Sequence, residues 1–127
     1  MPFPVDEAHL QTAERELGRT FPEPLRTRLL RRNGGEIYEA DDPDEDCVWW
    51  LHPVFDTSSH ERIRRTANHV VRETQSAREW SGFPPEAIAI GEDGNGNHLV
   101  LLPGSDEIYR WDHEEGTCVP VTLRYGE

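Results

Sequence analysis

Leu10, Ala13 and Leu17 recur at steps of three and four residues, so one apolar face predicts a helix from about Asp6 to Leu17. Gly18 follows as a natural left-handed stop. Thr20-Phe21-Pro22-Glu23 reads as a capping box, in which hydroxyl and carboxylate each satisfy an orphan helix-end amide. The helix it opens carries Leu25, Leu29 and Leu30 and closes at Asn33-Gly34-Gly35. Ser58 and Glu61 repeat the capping-box spacing. One long helix is expected after them, from about Ser59 to Trp80, with Ile63, Ala67, Val70, Thr74 and Ala77 on a single stripe. Gly82 and Pro84-Pro85 end it.

The remaining apolar runs are short and bounded by turn residues, which is a strand pattern. Val48-Trp49-Trp50-Leu51 is one, buried or half-buried. Ala87 to Ile90 and His98 to Leu102 flank Asp93-Gly94-Asn95-Gly96-Asn97, whose Asn-Gly and Asp-Gly pairs favour a tight hairpin turn. Glu107 to Asp112 makes a third strand with Ile108, Tyr109 and Trp111, and Cys118 to Thr122 a fourth. Pro120 cannot donate to a ladder and argues that this last strand lies at an edge. Helices first and an antiparallel meander after them describe an α+β domain, with N-terminal helices and one long central helix packed on one sheet. At 127 residues, with no internal repeat or linker, residues 1–127 form a single domain large enough to fold without a metal or disulfide.

Charge adds a constraint. The chain carries 25 Asp and Glu against 13 basic residues, all of them Arg, for a formal charge of −12. A field of that sign repels nucleic acid and anionic lipid and attracts cationic partners. Arg62, Arg64, Arg65, Arg72 and Arg78 are interleaved with Glu61, Glu73 and Glu79, the pattern of a solvated helix face. Cys47 and Cys118 have no CxxC neighbour and read as free thiols in a reducing compartment. The opening MPFPVDEAHL has neither a basic n-region nor an apolar core, and no stretch approaches a membrane span of about 20 apolar residues. Cytoplasm is the default location.

No catalytic constellation is visible. His9, His52, His60, His69, His98 and His113 include no pair at the spacing that sets two imidazoles on one helical face. There is no nucleophile elbow, since Gly104-Ser105 runs into Asp106-Glu107, and no phosphate-binding glycine loop. Asp93, Asn95 and Asn97 begin like a calcium loop, but His98 and Gly104 stand where Gly and a bidentate Glu are required. Asp42, Asp44 and Asp46 alternate similarly, with Cys47 and Pro53 at those two positions. No metal, no cofactor and no enzymatic activity are expected.

The unusual feature is acidic. Glu36, Glu39, Asp41, Asp42, Asp44, Glu45 and Asp46 put seven carboxylates into eleven residues beside Trp49-Trp50. Such a run serves either as a solvated loop or as an electrostatic lure for a basic partner with an aromatic anchor beside it, and both readings stay open. Of the two tryptophans, one is expected in the core. Asp106 and Glu107, with Asp112, Glu114 and Glu115, could extend the same surface.

Ala13-Glu14, Leu17-Gly18, Phe21-Pro22, Leu25, Leu29 and Asn33-Gly34-Gly35, in that order, resemble the opening of the SUKH superfamily in its Smi/Knr branch. Phe83-Pro84-Pro85, Ile88-Ala89-Ile90-Gly91, the Asp93–Asn97 turn and Ile108-Tyr109 with Trp111-Asp112-His113 continue the likeness to about residue 122. Asn97 departs from it, standing where many relatives carry Asp. The resemblance implies helices around a strongly bent antiparallel sheet and no characteristic catalytic residues. It also implies an immunity protein that binds a toxin, often a nuclease, encoded nearby; the alternative is a regulatory adaptor, like the yeast cell-wall-synthesis regulator among the eukaryotic relatives. Either way the expected partner is a protein, and neither nucleic acid nor membrane.

Overall fold

The computed structural model describes residues 2–126. Helix α1 spans Glu7–Leu17, with the Asp6 carboxylate accepting from the His9 amide at one end and Gly18 at φ 82° at the other. Helix α2, Glu23–Arg31, starts without a side-chain cap, because Pro22 holds the N-cap position in an extended conformation. The expected capping box at Thr20 and Glu23 is therefore absent. Glu14 reaches over from α1 instead: its carboxylate, 5% exposed, accepts from the Phe21 amide at 2.7 Å and from the Arg26 Nε at 2.8 Å. Arg26 is held above its ordinary pKa by the hydrogen bonds it donates to Glu14 and then Glu7.

Strand β1, Gly35–Glu39, occupies ground that the sequence reads as acidic loop. Ile37 is fully buried there while Glu36 faces solvent, a period too short to stand out among carboxylates. The strand is fed by Arg28, buried at 3% exposure, whose guanidinium donates to the carbonyls of Tyr125, Arg32 and Glu36. Burial pushes Arg28 down to about 10 and the facing Tyr125 up to about 12. Strand β2 is Trp49–Leu51.

The long helix expected over residues 59–80 is two helices, α3 His60–Arg65 and α4 Val70–Ala77. Ser59, not Ser58, caps α3 by accepting from the Arg62 amide. The break has local causes. The Thr66 hydroxyl donates back to the Arg62 carbonyl at 2.7 Å while accepting from the Asp56 amide at 3.0 Å. His69 then re-caps the chain, and the Val70 amide goes to the Pro53 carbonyl. Tertiary partners supplied by residues 53–56 thus outbid helix continuation. Of the apolar stripe, Val70, Thr74 and Ala77 are buried, whereas Ile63 is 39% exposed.

Strands β3 Ile88–Glu92, β4 His98–Leu101, β5 Ile108–Asp112 and β6 Thr117–Val121 form the expected meander, with β7 Leu123–Arg124 added beyond it. The antiparallel sheet runs β6-β5-β4-β3-β2-β1-β7, and Pro120 sits on the edge strand as its chemistry demands. Gly91 is needed where β3 meets β2, since a Cβ there would lie 2.9 Å from the Trp50 carbonyl. Strand alternation divides the core. Ile88, Ile90, Leu99, Leu101 and Ile108 pack with Leu10, Leu25 and Leu29 on one face, and Ala89, Val100 and Trp111 pack with Ala77 and Phe83 on the other. The sheet is strongly curved. Arg110 of β5 reaches Glu39 of β1 at 3.0 Å, although four strand-to-strand steps would separate them by about 19 Å in a flat sheet.

Candidate functional site

In strands β1 to β6 the spatial order follows the chain order, so alternate connections emerge at opposite ends of the sheet. The β1–β2, β3–β4 and β5–β6 turns share one end. They bring together Asp41, Asp42, Asp44, Glu45 and Asp46 from the first, Glu92 and Asp93 from the second, and Asp112, Glu114 and Glu115 from the third. This acidic pole is the candidate site.

Its turns are internally tied. Asp42 accepts from the amides of Asp46 and Cys47 at 3.1 and 3.0 Å. Asp93 accepts from the amides of Asn95 and Asn97 at 2.7 and 3.2 Å. Asp112 accepts from those of Glu115 and Glu114, which hold its carboxyl below the usual carboxylate range. Asn97 links two of the turns: its amide donates to Asp93 Oδ2 at 2.9 Å, and its carbonyl oxygen accepts from the His113 backbone at 3.2 Å. The position is thus more than a turn residue. Asn97→Asp would set two carboxylates at that 2.9 Å contact in place of a hydrogen bond, and should lower stability by about 1 kcal/mol in urea denaturation at low salt.

The pole includes an aromatic that the sequence reading passed over. Trp80, 46% exposed, packs edge-on against His98, His113 and Trp111, with centroids 6.1, 5.9 and 6.4 Å away. In the sequence it continues the α4 periodicity and so reads as core. Its neighbours His98, Trp111 and His113 come from strands and turns far along the chain, and no local pattern carries that signal.

The residues singled out from sequence divide. Asp41, Asp44 and Asp46 are exposed at the pole. Glu45 is paired with Arg124 at 2.9 Å, and Glu39, mostly buried, is engaged by Arg110 and by the Trp49 indole N–H at 3.1 Å. Trp49 is core at 3% exposure, while Trp50 is 46% exposed, with Glu36 and Glu92 directly across from it on the neighbouring strands. Glu36 is exposed and accepts from the Tyr38 hydroxyl at 2.9 Å. Asp106 and Glu107 belong to the β4–β5 connection at the opposite end of the sheet. There Asp106 pairs with Arg19 at 2.8 Å, and Glu107 stands near the Tyr109 hydroxyl at 3.5 Å. They do not extend the acidic pole, because one strand length separates them from it.

The order of elements, the buried Leu10, Leu25 and Leu29, and the Asp93–Asn97 hairpin all lie within residues 4–123, which match the family model described as the SMI1 / KNR4 family (SUKH-1). The chain belongs to that family. No curated protein and no solved structure matches it. For this SUKH-1 chain, no group of three or more His, Cys, Asp or Glu among the described residues could hold a metal ion. No helix among them is long and apolar enough to cross a membrane.

Proposed function

We propose that this SUKH-1 chain is a cytoplasmic immunity protein, which binds a basic toxin domain encoded beside it and blocks that toxin without catalysing a reaction. The observation that carries the reading is the convergence of three acidic turns at one end of the sheet, next to the exposed Trp80. Asp41, Asp44 and Asp46 supply the field, and Trp80 supplies contact area. Among toxins, nucleases present the phosphate-binding surface that such a pole complements.

Co-expression with the adjacent toxin gene is expected to restore growth, and the purified pair is expected to form a complex. Changing Asp41, Asp44 and Asp46 to Lys should slow association about tenfold or more at low salt and flatten its salt dependence. Absence of both rescue and binding would remove the immunity role. An unaltered on-rate in the charge-reversed protein would remove the electrostatic part alone.

A further inference from the structure

The end of the sheet opposite the acidic pole holds a groove of about 540 Å³, set between the start of β1, the end of β2 and helix α3. That volume falls in the range of built ligand sites. Its lining sets Arg32, Arg62 and Arg65 against two carboxylates, Glu36 and Asp56, a small positive excess in an acidic chain. The guanidinium groups of Arg62 and Arg65 both contact the Phe3 ring, with Cζ atoms 4.6 and 4.5 Å from its centroid, and Arg65 also pairs with Glu61 at 3.6 Å. Stacking of this kind holds both guanidinium groups in place before a ligand arrives. Arg62 makes two long hydrogen bonds, to Asp56 at 3.4 Å and to the Pro4 carbonyl at 3.5 Å, and both use Nη1. Arg32 adds a third guanidinium, with its buried Nε lacking a hydrogen-bond partner among the described residues. Trp50 lines the groove beside Glu36.

We propose that this groove binds an acidic peptide segment of a partner protein. One carboxylate of the segment sits against Arg62, Arg65 and Arg32, and a neighbouring aromatic or aliphatic side chain lies on Trp50. Charge complementarity selects the first element, since three Arg against Glu36 and Asp56 leave a positive excess in this groove of a protein of −12. Glu36 and Glu92, flanking Trp50, select the second. They repel a polyanion laid along the indole and favour a ligand whose charge is confined to the Arg end, as in a peptide and not in a free phosphate or nucleotide. The proposal is independent of the acidic pole, so loss of one binding activity need not bring loss of the other.

Isothermal titration of the full chain at physiological salt with acetyl-Asp-Glu-Gly-Phe-amide tests it, with acetyl-Asn-Gln-Gly-Phe-amide, AMP and inorganic phosphate as competing probes. The acidic peptide is expected to bind, and the neutral one about tenfold more weakly or not at all. Arg65→Gln and Arg62→Gln should each weaken the acidic peptide about tenfold, and Trp50→Ala severalfold. Because Arg62 also contacts the buried Asp56, a folding loss in that variant is screened by thermal melting, and Arg65→Gln then decides the question. Equal binding of the two peptides, no binding of either, unchanged affinity in Arg65→Gln, or tighter binding of AMP or phosphate would each overturn the proposal. Charge reversal at Asp41, Asp44 and Asp46 should leave the peptide contacts in place, which separates this result from the toxin experiment.

Discussion

Glu14→Ala is expected to lower the free energy of unfolding by about 3 kcal/mol or more, measured by urea denaturation at neutral pH. Glu14 is 5% exposed, and its carboxylate caps the Phe21 amide just before α2 begins. Removing it strands that N–H and leaves the Arg26 guanidinium, whose side chain is only 16% exposed, with Glu7 alone as its partner. Breaking one half of a buried pair is far more harmful than never having built it, because the remaining charge keeps its desolvation cost. Glu14→Gln, which retains an acceptor for Phe21 but not the charge, should lose roughly half as much. In a double-mutant cycle with Arg26→Met the two losses should be clearly non-additive. If Glu14→Ala and wild type unfold at the same urea concentration, α1 and α2 are joined by apolar packing alone.

Acidification is expected to destabilise the protein well before its carboxylates titrate. His52 is 3% exposed, and burial, followed by the nearby His98, pushes its pKa down to about 4. An unfolded chain would hold the same imidazole near 6.5, so below that value the unfolded state binds a proton that the native state refuses. Stability is therefore full above about pH 6.5, falls as the pH drops toward 4, and loses about 3 kcal/mol from this one group by the end of the window. His98 adds to the loss in the same direction, because burial lowers it against the opposing pull of Glu92 and Asp93. Urea midpoints at about pH 7.5 and pH 5 should differ by the equivalent of about 2 kcal/mol in wild type. In His52→Gln that difference should shrink markedly. An equal drop in both proteins would assign the acid sensitivity elsewhere.

Legibility in the sequence followed the range of the interactions involved. Asp6, Leu10, Ala13, Leu17 and Gly18 act within one helix, and α1 was readable nearly to the residue. The Asp93–Asn97 turn and the edge placement of Pro120 were readable for the same reason, since each depends on local backbone chemistry. The capping box at Thr20 failed because the helix starts later, with Pro22 at the N-cap, and Glu14, seven residues upstream of Phe21, caps the Phe21 amide instead. The long helix failed because Asp56 and Pro53 offer partners to Thr66 and Val70 that no window around residue 66 contains. Strand β1 was hidden because two apolar residues among carboxylates make no measurable period. For the site, the acids themselves were plain. Which were already committed was not: Glu39 to Arg110 and Glu45 to Arg124 are pairs across 71 and 79 positions.

The sequence by itself determined the class of fold, the places of α1, α2 and the β3–β6 meander, and the sign of the field. Those properties come from composition and from contacts within a few residues, which one chain displays directly. Only the tertiary structure decided that three separate turns form one acidic pole, that Trp80 stands beside it, and that Arg32, Arg62 and Arg65 gather at the other end. The reason is geometric. Strand register and sheet curvature choose which distant residues become neighbours, and they are set by burial of the whole core at once.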